Sequence, residues 1–540
     1  MKDKDKIEKL DKFNKKLISK LNLTSTAKSW SDLLPIMKDV LSMLTKNNDF
    51  DFNELSDKKT LSKRLAQGLN PECPSGLHEI VIDIYEIILK NIMSLHQNTL
   101  MDNLYYYAYG LFPFFPNASN QNKGKFLENI VKPIFLKLNK DELKLCLPGL
   151  LSSLIPGLED NEQMIQSISR VFDSIISKND GEMEKDFFGV YWTLLLRCEH
   201  LRKGGILYLL EKIIKYSELQ EIKEENKKTN IIEKQFPNIN LTIVNSLCEI
   251  IKNKDNVTVR NGMEFIVSRL PLTKENDMIT DDAKINLIIS GLHLLIKGDS
   301  TTIRRLKNWI LGVNDQDDDD IIFDSEDMKY KMNLVIKAIE FIFDLNKNYF
   351  EKELCDNILI IKNLFELEEE FINLILPGTA YTILKCVVNF WQIELDYSEN
   401  IEKDGIIQRI KELFEGNPKC YDLLWKSVAN SINELSKEEN CSSEQKINEI
   451  IDPLKFCLIF FNMKSNDNRI KYYFPLVTNL LGVIKNINCK KSNFKKIKQI
   501  ILIILALVKS LQEAKFHDKK DNETKTGDDN VKIIDDKDKQ

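Results

Sequence analysis

Proline and glycine are scarce in this chain, 14 and 19 of 540 residues, fewer than average usage would give. Apolar residues recur at three and four spacing rather than in alternation, so strands are excluded as the main element and an almost wholly α-helical protein is predicted. An excess of one charge sign is lacking too. The 76 basic and 82 acidic residues leave a formal charge of −6, too balanced for a general nucleic-acid binder or a cationic membrane protein. The ten cysteines are scattered singly with no CxxC pair, which reads as reduced core residues rather than a disulfide frame or zinc site. Long hydrophobic runs are short here: "IILIILALV", Ile500 to Val508, is less than half of the roughly 20 residues a spanning helix needs. The opening "MKDKDKIEKLDKFNKKL" has no apolar signal core, so a chain that begins and stays in the cytosol, with no membrane-crossing segment, is expected.

Signatures of chemistry are equally sparse. There is no GxxxxGKS or GxxxxGKT phosphate loop, no GxGxxG after a strand, no HExxH and no GxSxG elbow, so no enzyme class, metal or cofactor is indicated. The five histidines, His78, His96, His200, His293 and His517, are far apart. The acidic run "DQDDDDIIFDSED" lacks the glycine and ligand spacing of a calcium loop,. Cys73 and His78 flank the corner "NPECPSGLHE", where a thiol could meet an imidazole, although capping or packing a helix junction accounts for both.

What is present is a succession of amphipathic helices. Ile7, Leu10, Phe13, Leu17 and Leu21 mark one; after "NLTST", Trp30, Leu33, Leu34, Met37, Leu41 and Leu44 mark the next,. In "LSKRLAQGLNPECPSGLHEIVIDIYEIILKNI", Ser62 reads as the cap of a first helix, Gly68 lies near its end, and Pro71 and Pro74 forbid continuation,. Ser75 reads as the next cap, and Ile80, Ile84, Ile87 and Ile88 form a stripe that must bury against a neighbour,. Such corners return at a loose spacing near forty residues, which predicts an all-α fold, an extended α-solenoid of degenerate HEAT/armadillo-like helix pairs. The expected segments are a helical domain over 1–312, an acidic loop over 313–330, continuing repeats over 331–515 and a disordered polar tail over 516–540. A charged loop is expected over 217–237,.

Six stretches, in order, resemble the N-terminal domain of the Dopey family: "SWSDLLPIMKDVLSML", "SKRLAQGLNPECPSGLHEIVIDIYEIILKNI", "YYYAYGLFPFF", "SSLIPGLED", "VTVRNGMEFIVSRLPL" and "STTIRRLKNWILG". Beyond about residue 312 the likeness is one of helical texture. The resemblance implies a peripheral, non-enzymatic scaffold of vesicle-mediated protein transport, in the cytosol and on the cytoplasmic face of the Golgi, trans-Golgi network and endosomes. It further implies a large Mon2-type partner related to Arf exchange factors and P4-class phospholipid flippases. Members of the family are far longer than these 540 residues, which implies a truncated relative or an incomplete chain. Two other readings share the architecture: a HEAT-type cargo-binding receptor of the nuclear-transport kind, and a phosphoinositide-binding recruitment module.

Three basic stretches are candidate contacts for a partner or an anionic phospholipid surface. Arg304, Arg305 and Lys307 stand beside Trp309, since Arg forks onto phosphate or carboxylate and an indole is an amphipathic anchor; alternatively Trp309 and Leu306 pack inward and the arginines pair with nearby acids. Lys63 and Arg64 pose the same choice on a short helix. Lys495, Lys496 and Lys498 precede the apolar run at 500–508, which reads either as a membrane-surface helix or as the buried core helix of its repeat.

Overall fold

The computed structural model describes residues 2–525 except 25–28, 96–99, 179–181, 314–321, 345, 348, 395–404, 438–443, 462–465 and 488–493. The described residues are helices and short connections, with no strand among them. The chain divides into two compact units, the break falling between Pro271 and Lys284.

The first unit holds α1 (Lys2–Leu23), α2 (Trp30–Lys46), α3 (Lys58–Gly68), α4 (Ser75–Leu95), α5 (Leu100–Leu111), α6 (Asn120–Phe126), α7 (Lys140–Leu154) and α8 (Glu162–Ile176). It continues through α9 (Met183–Arg197), α10 (Arg202–Lys212), α11 (Tyr216–Glu221), α12 (Glu225–Gln235), α13 (Val244–Ile251) and α14 (Asn256–Arg269). After the break come α15 (Asp281–Leu292), α16 (Leu294–Lys297), α17 (Ser300–Leu311), α18 (Glu326–Ile342), α19 (Glu351–Leu367) and α20 (Glu370–Glu394). The last are α21 (Gly405–Glu415), α22 (Pro418–Lys437), α23 (Glu444–Phe460), α24 (Asn466–Asn486) and α25 (Phe494–Lys525).

Many helices pack on the one two places further along: α2 on α4, α3 on α5, α7 on α9, α18 on α20, α20 on α22, α22 on α24. That skipping pattern is what a two-layer stack of helix pairs produces, and the fold is an all-α solenoid of such pairs. Polar bonds between successive pairs give the repeat length. Lys140 to Glu182 spans 42 positions, Ser75 to Ser119 spans 44, Arg202 to Glu249 spans 47 and Lys471 to Asp422 spans 49.

Helix starts are written in short polar residues. Asp57, Asn139, Asn161, Asp255, Asp299 and Ser325 each accept a hydrogen bond from an amide of the first turn they precede, satisfying a donor the helix leaves open. Ser62 is therefore not a cap, because Asp57 starts α3 a turn earlier and the Ser62 hydroxyl donates back to the Lys59 carbonyl inside the helix. Nor is Ser75, which is the first residue of α4: its hydroxyl lies 3.1 Å from that of Ser119 and accepts from Asn122, while the Pro74 carbonyl takes the Leu77 amide. Behind the corner, Ile84 and Ile88 are buried as expected, but Ile80 and Ile87 are only half-buried and Leu77, Val81, Tyr85 and Leu89 complete the core face.

Several loop expectations give way to helix. The charged stretch 217–237 carries most of α11 and all of α12, because Leu219 and Phe236 bury and Gln235 accepts from the Ile214 amide. The acidic segment ends sooner than expected, since Ser325 starts α18 before residue 330, and 314–321 lie outside the described residues. The polar tail begins as helix, α25 running to Lys525, with 526–540 outside the described residues.

Glu370–Phe390 in α20 is long and apolar enough to cross a membrane by length and composition, with 61% of its most apolar window buried inside the protein. Phe371, Ile375, Leu376, Ile383 and Leu384 are fully enclosed by neighbouring helices, as in the central helix of a packed unit.

Candidate docking surface

The basic candidates lie on three separate helices, and the structure sorts them. On α17, Trp309 is only 3% exposed and Leu306 fully buried, so the indole cannot anchor a partner. Lys307 pairs with Glu368 at 2.9 Å, while Arg304 is exposed and Arg305 half-buried. On α3, Lys63 is exposed, and half-buried Arg64 donates from Nη1 to Gln67. On α25, Lys498 is exposed, and the side chains of Lys495 and Lys496 lie outside the description. The run at 500–508 is not enclosed on all sides: Ile500, Ile503 and Leu507 are buried, yet Leu502 and Leu505 are more than half exposed. A terminal helix needs to bury only the face that meets its neighbour.

The opening corner is a bend without reactive chemistry. His78 is buried edge-on to Phe114 with Nε2 2.9 Å from the Asn70 carbonyl, whereas Cys73 Sγ points to the Gln67 carbonyl. Burial, helped by Glu72, raises the Cys73 thiol above its ordinary value, and burial pushes the Cys146 and Cys420 thiols up to about 11. These sulfurs stay protonated at neutral pH, the opposite of a nucleophile. Among the described residues no group of three His, Cys, Asp or Glu could hold a metal.

A surface that the residue patterns did not single out lies on α5. The run "LYYYAYGLF" sends Leu104, Tyr107 and Leu111 inward and leaves Tyr105 and Tyr109 84% and 83% exposed, one helical turn apart,. Tyr106 packs edge-on against Tyr105 at 5.5 Å between ring centroids. Two observations set what flanks them. On one side α3 runs parallel to α5: the charge of Asp102 bears on Lys58, and Gly110 sits over Ala66 so closely that a Cβ there would be 2.6 Å from the Ala66 Cα. The same register brings Tyr106 level with Ser62 and Lys63. On the other side the Cys146 thiol of α7 lies 3.7 Å from the Met101 sulfur, and Phe112 covers Gly149. Leu145, next to Cys146, is 73% exposed. Exposed Tyr105 and Tyr109 on α5 thus stand between α3, which bears exposed Lys63, and α7, which bears exposed Leu145. Exposed tyrosines combine a large apolar face with a polar tip at low entropic cost, which suits them to protein contacts. The only sequence signal was tyrosine at positions 105 and 109, on the face opposite the buried stripe.

The sequence profile described as "Dopey, N-terminal" matches residues 7–315, more than half of the chain. The chain belongs to the Dopey family. It is 24% identical over 286 residues to the "Protein DOP1 homolog" of Drosophila melanogaster, a match covering 52% of this Dopey chain and 10% of the relative. It is 26% identical over 298 residues to "Protein DOP1B" of Mus musculus, covering 53% of this chain and 12% of that one. The matched segment thus spans only about a tenth of each relative's length. Among solved structures, that of SYS-1 aligns with 93% of the Dopey chain and 93% of its own at 12% identity and a TM-score of 0.23. The resembling words fall at helix corners and inter-pair contacts: "NPECPSGLHE" joins α3 to α4, "YYYAYGLFPFF" carries the tyrosine surface, and "ILG" ends α17 on Gly312 at φ +75°.

Proposed function

We propose that this Dopey chain is a non-enzymatic docking scaffold in vesicle-mediated protein transport between endosomes and the Golgi. The observation that carries the proposal is the exposed surface of Tyr105, Tyr109 and Leu145, inside the segment that matches the family. Helix pairs stacked in series offer long surfaces to partners without a catalytic cleft, and the buried, protonated thiols fit a binding role. Its partners are a large Mon2-type scaffold related to Arf exchange factors and a P4-class flippase, met at the cytoplasmic face of the Golgi, trans-Golgi network and endosomes.

The test is co-purification of the tagged endogenous protein from gently lysed cells, in parallel with a Tyr105→Ala/Tyr109→Ala chain whose helical circular dichroism and melting temperature match the parent. Recovery of an Arf-exchange-factor-like scaffold or a flippase, lost from the double variant, supports the proposal. Recovery of soluble cargo with a Ran-type GTPase instead overturns it in favour of a cargo receptor. Binding of the purified chain to phosphoinositide vesicles with no protein partner overturns it in favour of a membrane-recruitment module.

A further inference from the structure

The last two helices carry a charge pattern unlike the rest of the molecule. From Arg469 to Gln512, 44 residues contain nine Lys or Arg and no Asp or Glu, in a protein whose formal charge is −6. Within this stretch α25 turns Ile500, Ile503 and Leu507 into the protein and packs against α24. Its opposite side shows Phe494, Ile501, Leu502 and Leu505, positions that recur at helical spacing over about 16 Å. Exposed Lys498 and Lys509 lie along the same side, near its two ends.

We propose that this outward stripe of α25 is the seat of an acidic amphipathic helix from a partner protein. The shape follows from the stack itself. α22 lies against α20, α24 against α22 and α25 against α24, so the fold already covers apolar helix faces with further helices. The stripe on α25 recurs at helical spacing, and leaving it in water costs the free energy that a docked helix recovers,. The charge follows from the sequence around it: a helix with glutamates flanking its leucines is attracted by the basic stretch from Arg469 to Gln512, which Glu513 follows at its end, whereas a basic helix is repelled,. This site lies outside the family-matched segment and is independent of the tyrosine surface on α5.

The experiment uses the full chain and two fluorescein-labelled peptides of the same leucine stripe, one flanked by glutamate and one by lysine, read by fluorescence anisotropy at moderate salt. The glutamate peptide is expected to bind about tenfold or more tightly than the lysine peptide. Leu502→Asp/Leu505→Asp, at exposed positions that leave the melting temperature unchanged, abolishes that binding, and Lys498→Glu/Lys509→Glu narrows the preference. Equal binding of the two peptides, or binding indifferent to the leucine pair, overturns the proposal. So does sedimentation as a dimer that the leucine variant converts to monomer, which assigns the stripe to a second copy. Flotation with phosphatidylcholine/phosphatidylserine vesicles, lost in the leucine variant and without any peptide preference, overturns it in favour of a lipid surface.

Discussion

The helix pairs up to Arg269 and those from Glu370 onward share apolar packing and surface ion pairs, and differ in the buried arginines and asparagine that join one pair to the next. In the earlier part, buried polar side chains reach across from one pair to the next and hold backbone carbonyls. Arg269 donates to the carbonyls of Leu210 and Ile213 at the end of α10, and Arg202 to those of Leu195, Leu196 and Glu249. Asn91 takes the Phe52 amide and donates to the carbonyls of Asn48 and Phe50. A cation at a helix C-terminus meets both open acceptors and the negative end of the dipole. In the later part, Phe371, Leu384 and Trp425 fill the space between helices as Trp192 and Phe172 do in the earlier one, half-buried Asn479 donates to the Ala429 carbonyl, and ion pairs such as Lys471–Asp422 and Lys419–Glu369 sit at the surface. Apolar faces say that helices pack; buried polar bonds say in which register. The family profile ends at residue 315, and the polar joints of α9, α10 and α14 lie within it.

Four substitutions sharpen or break this contrast. The largest effect is expected from Trp425→Ala, where the loss of a fully buried indole costs about 3–5 kcal/mol,; a small shift in urea midpoint would show that the later helices do not depend on packing. Next is Arg269→Met, which keeps the apolar stem but leaves the carbonyls of α10 without a donor, at about 2–3 kcal/mol. If Arg269→Met proves neutral in the same denaturation, the polar joints are dispensable and the contrast fails.

Asp255→Ala is smaller, about 1 kcal/mol for a lost helix cap, and it carries a pH signature. The carboxyl sits below its ordinary value, chiefly because the Thr258 hydroxyl donates to it, aided by the Thr258 amide and Lys203. A depressed carboxylate stabilises the fold above its unfolded-state value of about 3.9 and loses that contribution as the pH falls through the lower folded-state value. The gap between parent and variant melting temperatures should therefore be full at neutral pH and close in acid. Smallest is Lys471→Ala, less than about 0.5 kcal/mol, because the pair with Asp422 is solvent-screened,; a double-mutant cycle with Asp422→Ala giving more than that would mean the surface pairs of the later helices also fix register.

The broad architecture was legible because it rests on periodicity. Phe13, Leu17, Leu21, Met37 and Leu44 follow the helical repeat and are buried, whereas Ile7 and Trp30, read on the same stripes, are more than half exposed. The errors have local causes. The segment 217–237 read as a loop since its charges outnumber its apolar residues, yet Leu219 and Phe236 suffice to dock it. Ser62 read as a cap because the more distant Asp57 competes for the same role, and only backbone geometry decides between them. Trp309, by contrast, reads as core in preference to an anchor, and it is buried.

By itself, then, the sequence determined the helical class, the corners at Pro71 and Pro74 and the family likeness, because periodicity, missing donors and ordered words are properties of neighbours along the chain. Tertiary structure alone decided which cations became buried joints and which tyrosines stayed outside. Arg269 and Lys63 are both basic helical residues, but one meets carbonyls 56 and 59 positions away while the other meets water. Such pairings depend on how successive helices sit on one another, which no local spacing encodes.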